Sequence, residues 1–198
     1  ANMATLLAGK TLVNLNYTAS AEALQFACEQ SGITRVLTAR RFITNLQKRG
    51  IELSELLPDQ ELIYLEDMRE GFSKTESLLT LLQVRLLPSG MLKKLVCKKC
   101  DPKQAAIIFS SGSEGLPKGV VLSHKNLMAN VKQAADALQP DSEDVMMASL
   151  PLFHAFGLTA AQFLPLIEGM PLVCQPDPTD VLSVSKAASK YKTTIMFG

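Results

Sequence analysis

Net charge is nearly absent from this sequence: 20 lysines and arginines stand against 19 aspartates and glutamates in 198 residues. Phosphate contacts to DNA or RNA need a Lys/Arg excess on one face, so this balance argues for no nucleic-acid partner. Cysteine is scarce too. Cys28, Cys97, Cys100 and Cys174 are too few for a disulfide framework and point to a reducing, cytoplasmic setting. Residues 1–10 lack the basic leader and apolar core of a secretion signal, and read as the tail of a helix stopped at Gly9. Internal repeats and low-complexity tracts are missing. Charged side chains vanish altogether from 145–167, a stretch longer than the ~18 apolar residues that flag a membrane-spanning helix. Pro151, His154, Gly157, Gln162 and Pro165 interrupt it, and a helix in lipid would have to satisfy the backbone groups freed at each break. The expected structure is a buried strand, a loop and a buried helix, as in a parallel sheet covered on both faces.

What is present is ordinary globular material: 47% hydrophobic and 20% charged residues, enough for one large domain or two small lobes. Short runs of Val, Ile, Leu and Tyr alternate with stretches of helical period, the pattern of parallel strands joined by crossover helices. The fold class is therefore α/β, with mostly parallel sheets covered by helices. Strands are expected at 11–15, 35–38 and 62–65, with helices from about Ser20 to Gly32 and over 41–49. Ser73 and Glu76 form a capping box ahead of Leu78, Leu79, Leu81 and Leu82, and Pro88 ends that helix. Between 85 and 103, six cations (Arg85, Lys93, Lys94, Lys98, Lys99, Lys103) face Asp101 alone. This reads as a basic linker between a first lobe, 1–84, and a second, 104–198. In the second lobe, strands are expected at 105–109, 120–122, 145–150, 171–174 and 193–197. Helices are expected after Ser123, over 158–167 and over 179–191. The last strand has no polar turn after it, so the sheet is expected to continue in a longer native protein, and its edge invites self-pairing.

The chemistry concentrates between the strands at 105–109 and 120–122. Ser110-Ser111-Gly112-Ser113-Glu114-Gly115-Leu116-Pro117-Lys118-Gly119 holds three glycines, three hydroxyls and a lysine in ten residues. Glycines let backbone N–H groups approach an oxyanion, hydroxyls add rotatable donors, and lysine neutralises charge, so the loop suits a polyphosphate. It is not a Walker A loop: counted from Gly112, the second glycine would fall on Pro117, and Lys118 precedes Gly119 rather than Ser or Thr.

The whole string resembles the [ST]-S-G-[ST]-[TSE]-G-x-P-K-G signature of the adenylate-forming superfamily, which includes acyl-CoA synthetases, acyl-carrier-protein synthetases and peptide-synthetase adenylation domains. Pro151-Leu152-Phe153-His154-Ala155-Phe156-Gly157 is similar to its P-x-F-H-x-x-G motif. Among branches, these strings look most like the synthetase half of the bacterial bifunctional acyl-[acyl-carrier-protein] synthetase / 2-acylglycerophosphoethanolamine acyltransferases. The resemblance implies an ATP- and Mg2+-dependent ligase that activates a fatty-acid carboxylate as an acyl-adenylate and passes it to an acyl-carrier-protein thiol. A CoA thiol is the alternative acceptor, and a non-catalytic lobe that docks carrier protein or membrane is the alternative role. It also implies that Ser110, Ser111, Gly112, Ser113, Glu114, Gly115 and Lys118 lie at the nucleotide phosphates, with Phe153, His154 and Gly157 at the acyl channel. Glu114 brings negative charge beside those phosphates, so it needs solvent or a cation. The family's catalytic lysine and metal-binding glutamate would lie beyond residue 198, which leaves this stretch inactive alone. For the longer protein, the cytoplasmic face of the inner membrane is a further expected location.

Other constellations carry less. Cys97 and Cys100 have zinc-ligand spacing, but no second Cys pair or close His pair completes a site. The surrounding basic stretch reads as a solvated loop, with an acidic carrier protein or anionic lipid heads as its functional contact. Ser123-His124-Lys125 reads as a helix cap followed by an exposed first turn rather than a nucleophile. Cys28 and Cys174 read as buried thiols, and Phe153 and Phe156, taken alone, as core aromatics.

Overall fold

A computed structural model describes residues 1–97, 103–110 and 116–197. The chain divides into two compact units, Ala1–Asp101 with Ser111–Gly119, and Pro102–Ser110 with Val120–Gly198.

In the first unit, α1 (Asn2–Leu7) leads to β1 (Leu12–Val13), α2 (Ala21–Ser31), β2 (Arg35–Thr38), α3 (Arg40–Gln47), α4 (Leu53–Leu56) and β3 (Glu61–Tyr64). Then come α5 (Leu65–Glu70), α6 (Lys74–Leu86) and α7 (Ser89–Val96). Local chemistry sets most of these boundaries. Ser20 Oγ accepts the Ala23 N–H at 3.2 Å to open α2, and Gly32 closes it in the left-handed region at φ 62°, a conformation costly to any residue with a Cβ. β2 and β3 pair in parallel, Arg35 opposite Glu61 and Val36 opposite Leu62, with the Arg35–Glu61 ion pair at 2.9 Å on the exposed side. Leu24 and Cys28 of α2, Leu46 of α3, and Leu53 and Leu57 form the core, and Val36, Phe42, Ile43 and Leu62 pack against it.

Ser73 caps α6 as its sequence predicts. Its Oγ accepts the Glu76 N–H at 3.1 Å, and Glu76 Oε2 accepts the Ser73 N–H at 3.0 Å. The Ser73 N–H, and its hydroxyl donating to the same oxygen at 2.8 Å, hold the Glu76 carboxyl below the ordinary carboxylate range. The stretch after it differs from a plain linker, because Pro88 stops α6 and then stands as the N-cap of α7.

β4 (Ala106–Ser110) lies in the second unit, and β5 (Lys118–Leu122) enters it at Val120. The second unit continues with α8 (His124–Leu138), β6 (Met146–Ala148), a π-helix (Gly157–Phe163), α9 (Leu164–Glu168), β7 (Leu172–Cys174), α10 (Val181–Tyr191) and β8 (Ile195–Met196). β6 lies between β7 and β8 and is parallel to both. Its consecutive side chains Met146 and Met147 are both buried. Neighbours on a strand face opposite ways, so both faces of β6 are covered, as its charge-free sequence implies. α8 packs on the π-helix and α9, and β6 packs on the π-helix.

The helix expected over 158–167 is regular only in its second half. Pro165 has no N–H for the Ala161 carbonyl and its ring crowds that oxygen; the wide π-turns immediately before it are where the chain accommodates this. A second difference concerns Cys174, expected buried but exposed: β7 is an edge strand, so its outward positions face solvent. Cys28 is buried as expected, and burial pushes its thiol upward from the ordinary range.

Candidate functional site

The start of β4 and the end of β5 are tied by the Ala105 N–H donating to the Leu122 carbonyl at 2.7 Å. The two strands therefore run in opposite directions, and the Ser/Gly-rich segment stands between them in the sequence. Ser110 closes β4 and Lys118 opens β5, both exposed. Lys118 belongs to the strand rather than to the loop, which gives its ammonium a fixed origin. No described carboxylate pairs with it. Ser111, Gly112, Ser113, Glu114 and Gly115 lie outside the described residues. After β5, Ser123 Oγ accepts the Asn126 N–H at 3.1 Å and Asn126 Oδ1 accepts the Ser123 N–H at 3.0 Å. The hydroxyl is thus a helix cap, with no role as a nucleophile.

Within the second unit, Phe153 and His154 lie on the turn after β6, and Gly157 opens the π-helix that follows. The His154 N–H donates to the Pro151 carbonyl at 3.2 Å, and the Leu158 N–H to the His154 carbonyl at 2.9 Å. Phe153 is buried, and the exposed His154 ring rests on it at 4.6 Å between centroids. His154 is therefore exposed rather than a core histidine, with its ring against Phe153. Gly157 is required by close approach, since a Cβ there would collide with the Pro151 oxygen and stand 2.8 Å from the Pro151 carbonyl carbon. Phe156, read alone as a core aromatic, is exposed and meets Phe197 edge to face at 4.9 Å. Both rings follow the carboxyl ends of parallel strands, β6 and β8, the end of an open α/β sheet where ligands bind.

The sequence reading missed a polar cluster at the corresponding end of β2 and β3. Ala39 has no side-chain oxygen to cap α3, and Glu66 Oε1 takes that role, accepting the Arg40 N–H at 2.9 Å. The Arg40 guanidinium bonds Asp67 at 2.6 Å and lies 4.2 Å over the Tyr64 ring. Nothing local marks Arg40 and Glu66 as partners, because they meet only through strand pairing.

Among the described residues, no group of three His, Cys, Asp or Glu side chains could hold a metal ion. Cys97 is half-buried, and Cys100 lies outside the described residues.

Known proteins extend this geometry. The chain is 39% identical over 94 residues to 4-coumarate–CoA ligase 2 of Nicotiana tabacum, a match covering 46% of this chain and 17% of that one. It is 30% identical over 139 residues to the acyl-CoA ligase sidI of Aspergillus fumigatus, covering 70% and 23%. O-succinylbenzoate coenzyme A synthetase of Bacillus subtilis in complex with AMP has the same fold at a TM-score of 0.72 and 22% identity, across 99% of this chain and 44% of that one. The same enzyme in complex with ATP and magnesium ion aligns at a TM-score of 0.69 and 23% identity, across 99% and 35%. The chain thus spans less than half the length of these solved relatives and less than a quarter of the curated ones. The model of the family described as AMP-binding enzyme matches residues 1–198. With the whole chain matched, it belongs to the AMP-binding enzymes.

Proposed function

We propose that this chain is the phosphate-gripping and acyl-channel portion of an ATP-dependent acid–thiol ligase. The reaction is the attack of a carboxylate oxygen on the α-phosphorus of ATP, with the bond to the departing pyrophosphate breaking. A thiol then takes the acyl group and AMP leaves. The observation that carries this reading is Lys118: a cation fixed at the start of β5, exposed, unpaired by any described carboxylate and set at the end of a Ser/Gly-rich sequence. Such a group neutralises phosphate charge without first breaking an internal ion pair, and catalysis of this kind rests on positioning and charge. Ser110 and, by resemblance, Ser111, Gly112, Ser113 and Gly115 add hydroxyl and backbone donors. Glu114 in the same sequence requires solvent or a cation beside it. Magnesium on the phosphates would supply further charge neutralisation, with its protein ligands outside the described residues.

His154 is best suited to gating. Its ring is backed by Phe153 and held by a turn that Gly157 allows to close, so it borders a channel rather than moving a proton. The substrate tail would be apolar, a fatty acid being the reading carried by the motif resemblance. Two acceptors fit. The Nicotiana and Aspergillus relatives are named as CoA ligases, whereas the S-G-S-E-G-x-P-K-G string resembles the acyl-carrier-protein branch. Product analysis of the intact protein with ATP, fatty acid and either acceptor separates them. In that protein Lys118→Ala lowers carboxylate-dependent ATP–pyrophosphate exchange by about 100-fold, the effect of removing one group that stabilises developing charge. Exchange at the parental rate by the folded variant removes the phosphate role, and no exchange by the parent with any carboxylate favours a docking module instead.

A further inference from the structure

One buried hydroxyl links the π-helix to the turn that carries His154. Thr159 is 9% exposed and lies inside the π-helix. Its Oγ1 donates to the Ala155 carbonyl at 2.8 Å. Its own carbonyl accepts the Leu164 N–H, five residues on, whereas in an α-helix the partner is four residues on. After Leu164 comes Pro165, buried and without an N–H. Thr159 therefore joins the widened turn ahead of the proline to the residue next to His154.

The same hydroxyl-to-carbonyl bond occurs at Thr5, Thr44, Ser77 and Ser185, in each case exposed to solvent. Water competes with those bonds. Thr159 is the buried member of the set, and a threonine bonded back four residues bends the helix that holds it. The bend falls where the chain enters the π-helix, and π-turns gather at functional sites. Two backbone bonds already frame this turn, from the His154 N–H to the Pro151 carbonyl and from the Leu158 N–H to the His154 carbonyl. The Thr159 hydroxyl adds a side-chain tie at the next carbonyl. All of these groups lie within the second unit, and the bond spans four residues of continuous chain.

We propose that Thr159 is a positioning residue for the carboxylate substrate: its bond to Ala155 fixes the turn that holds the His154 ring at the border of the acyl channel. The proposal rests on the ligase reading. Without the bond the turn occupies several placements, and the carboxylate meets a correctly set channel only part of the time, which raises its apparent dissociation constant by that fraction.

The test uses the intact protein with Thr159→Val, which replaces the hydroxyl by a methyl group, beside Thr159→Ser, which keeps the hydroxyl. Thr159→Val should raise the carboxylate KM in ATP–pyrophosphate exchange about three- to tenfold, the worth of one neutral hydrogen bond. The KM for ATP and the rate at saturating carboxylate should stay at their parental values. The variant should also shift the His154 ring resonance, assigned by its loss in His154→Gln. Thr159→Ser should restore both readouts, and Ser185→Ala, which deletes the same kind of bond on α10, should move neither. A parental carboxylate KM and an unshifted resonance in Thr159→Val overturn the proposal. So do equal changes in the Val and Ser variants, which would assign the effect to packing, and a joint rise in both KM values, which would mean general loosening. If the parent shows no carboxylate-dependent exchange, the ligase reading fails and the His154 resonance decides alone. Shifted in Thr159→Val and restored in Thr159→Ser, it supports the positioning of the turn; unshifted, it overturns it.

Discussion

Residues 145–167 and the α6–α7 pair are both rich in large aliphatic side chains, yet only the first places a set of them in the core. In the first, Met146, Met147, Leu158 and Leu164 are buried almost completely. In the second, Leu78, Leu81, Leu82 and Leu86 are all exposed. Apolar content therefore did not decide burial. β6 is flanked by β7 and β8 and covered by the π-helix, so its side chains have partners on every side. α6 has a complete capping box and good helix formers, which establish a helix but supply nothing to pack against. Helix formation is local chemistry, whereas burial needs a second surface.

The largest effect that would break this contrast is a core truncation. Leu164→Ala should cost about 2–5 kcal/mol in chemical denaturation, from lost transfer energy and the cavity left behind. Leu82→Ala on α6 should change stability by no more than about 0.5 kcal/mol. Equal losses would mean that α6 is packed in solution. Gly157→Ala comes next. A methyl group directed at the Pro151 carbonyl must displace the turn, at about 1–3 kcal/mol, and His154 moves with it. A shifted His154 ring resonance in NMR spectra, accompanied by a lower denaturation midpoint, is the expected signature.

The smallest effect is a pH dependence that treats both regions alike. Thr194 Oγ donates to Asp144 Oδ1 at 2.6 Å and accepts the Val145 N–H, tying β8 beside β6, and this bond holds the Asp144 carboxyl below the ordinary range. The Glu76 carboxyl is held low by Ser73. A carboxyl lowered in the folded state contributes fully above the ordinary carboxylate range and loses that contribution as pH falls through its folded value. Protection of the Ser73 and Val145 amides, taken relative to the intrinsic exchange rate at each pH, should therefore fall on acidification. Glu76→Gln keeps the cap geometry and should abolish the response at Ser73 alone.

Much of the fold was legible wherever a signal was short-range. The Ser20, Ser73 and Ser123 caps, the Gly32 stop and the strand at 35–38 all follow from side chains acting within a few residues. The π-helix was not legible, because a period of 3.6 fits its apolar residues equally well until Pro165 is confronted with the Ala161 carbonyl. α5 and α7 were missed for a different reason: each is short and depends on what precedes it, Tyr64 at the end of β3 and Pro88 after α6. Of the candidate site, the Ser/Gly/Lys segment and the Phe153-His154 pair could be read from residue types and order. The exposure of His154 and Phe156, the need for Gly157 and the Arg40–Glu66–Asp67 cluster could not.

Residue order alone determined that this chain is an α/β protein with a segment rich in Ser, Gly and Lys between two strands, since caps, glycine stops and motif spacing act along the backbone. Only the tertiary structure decided which apolar stretch is buried, that His154 is exposed and why residue 157 has no side chain. Those outcomes depend on distances between segments far apart in the chain, and local propensity contains no term for them.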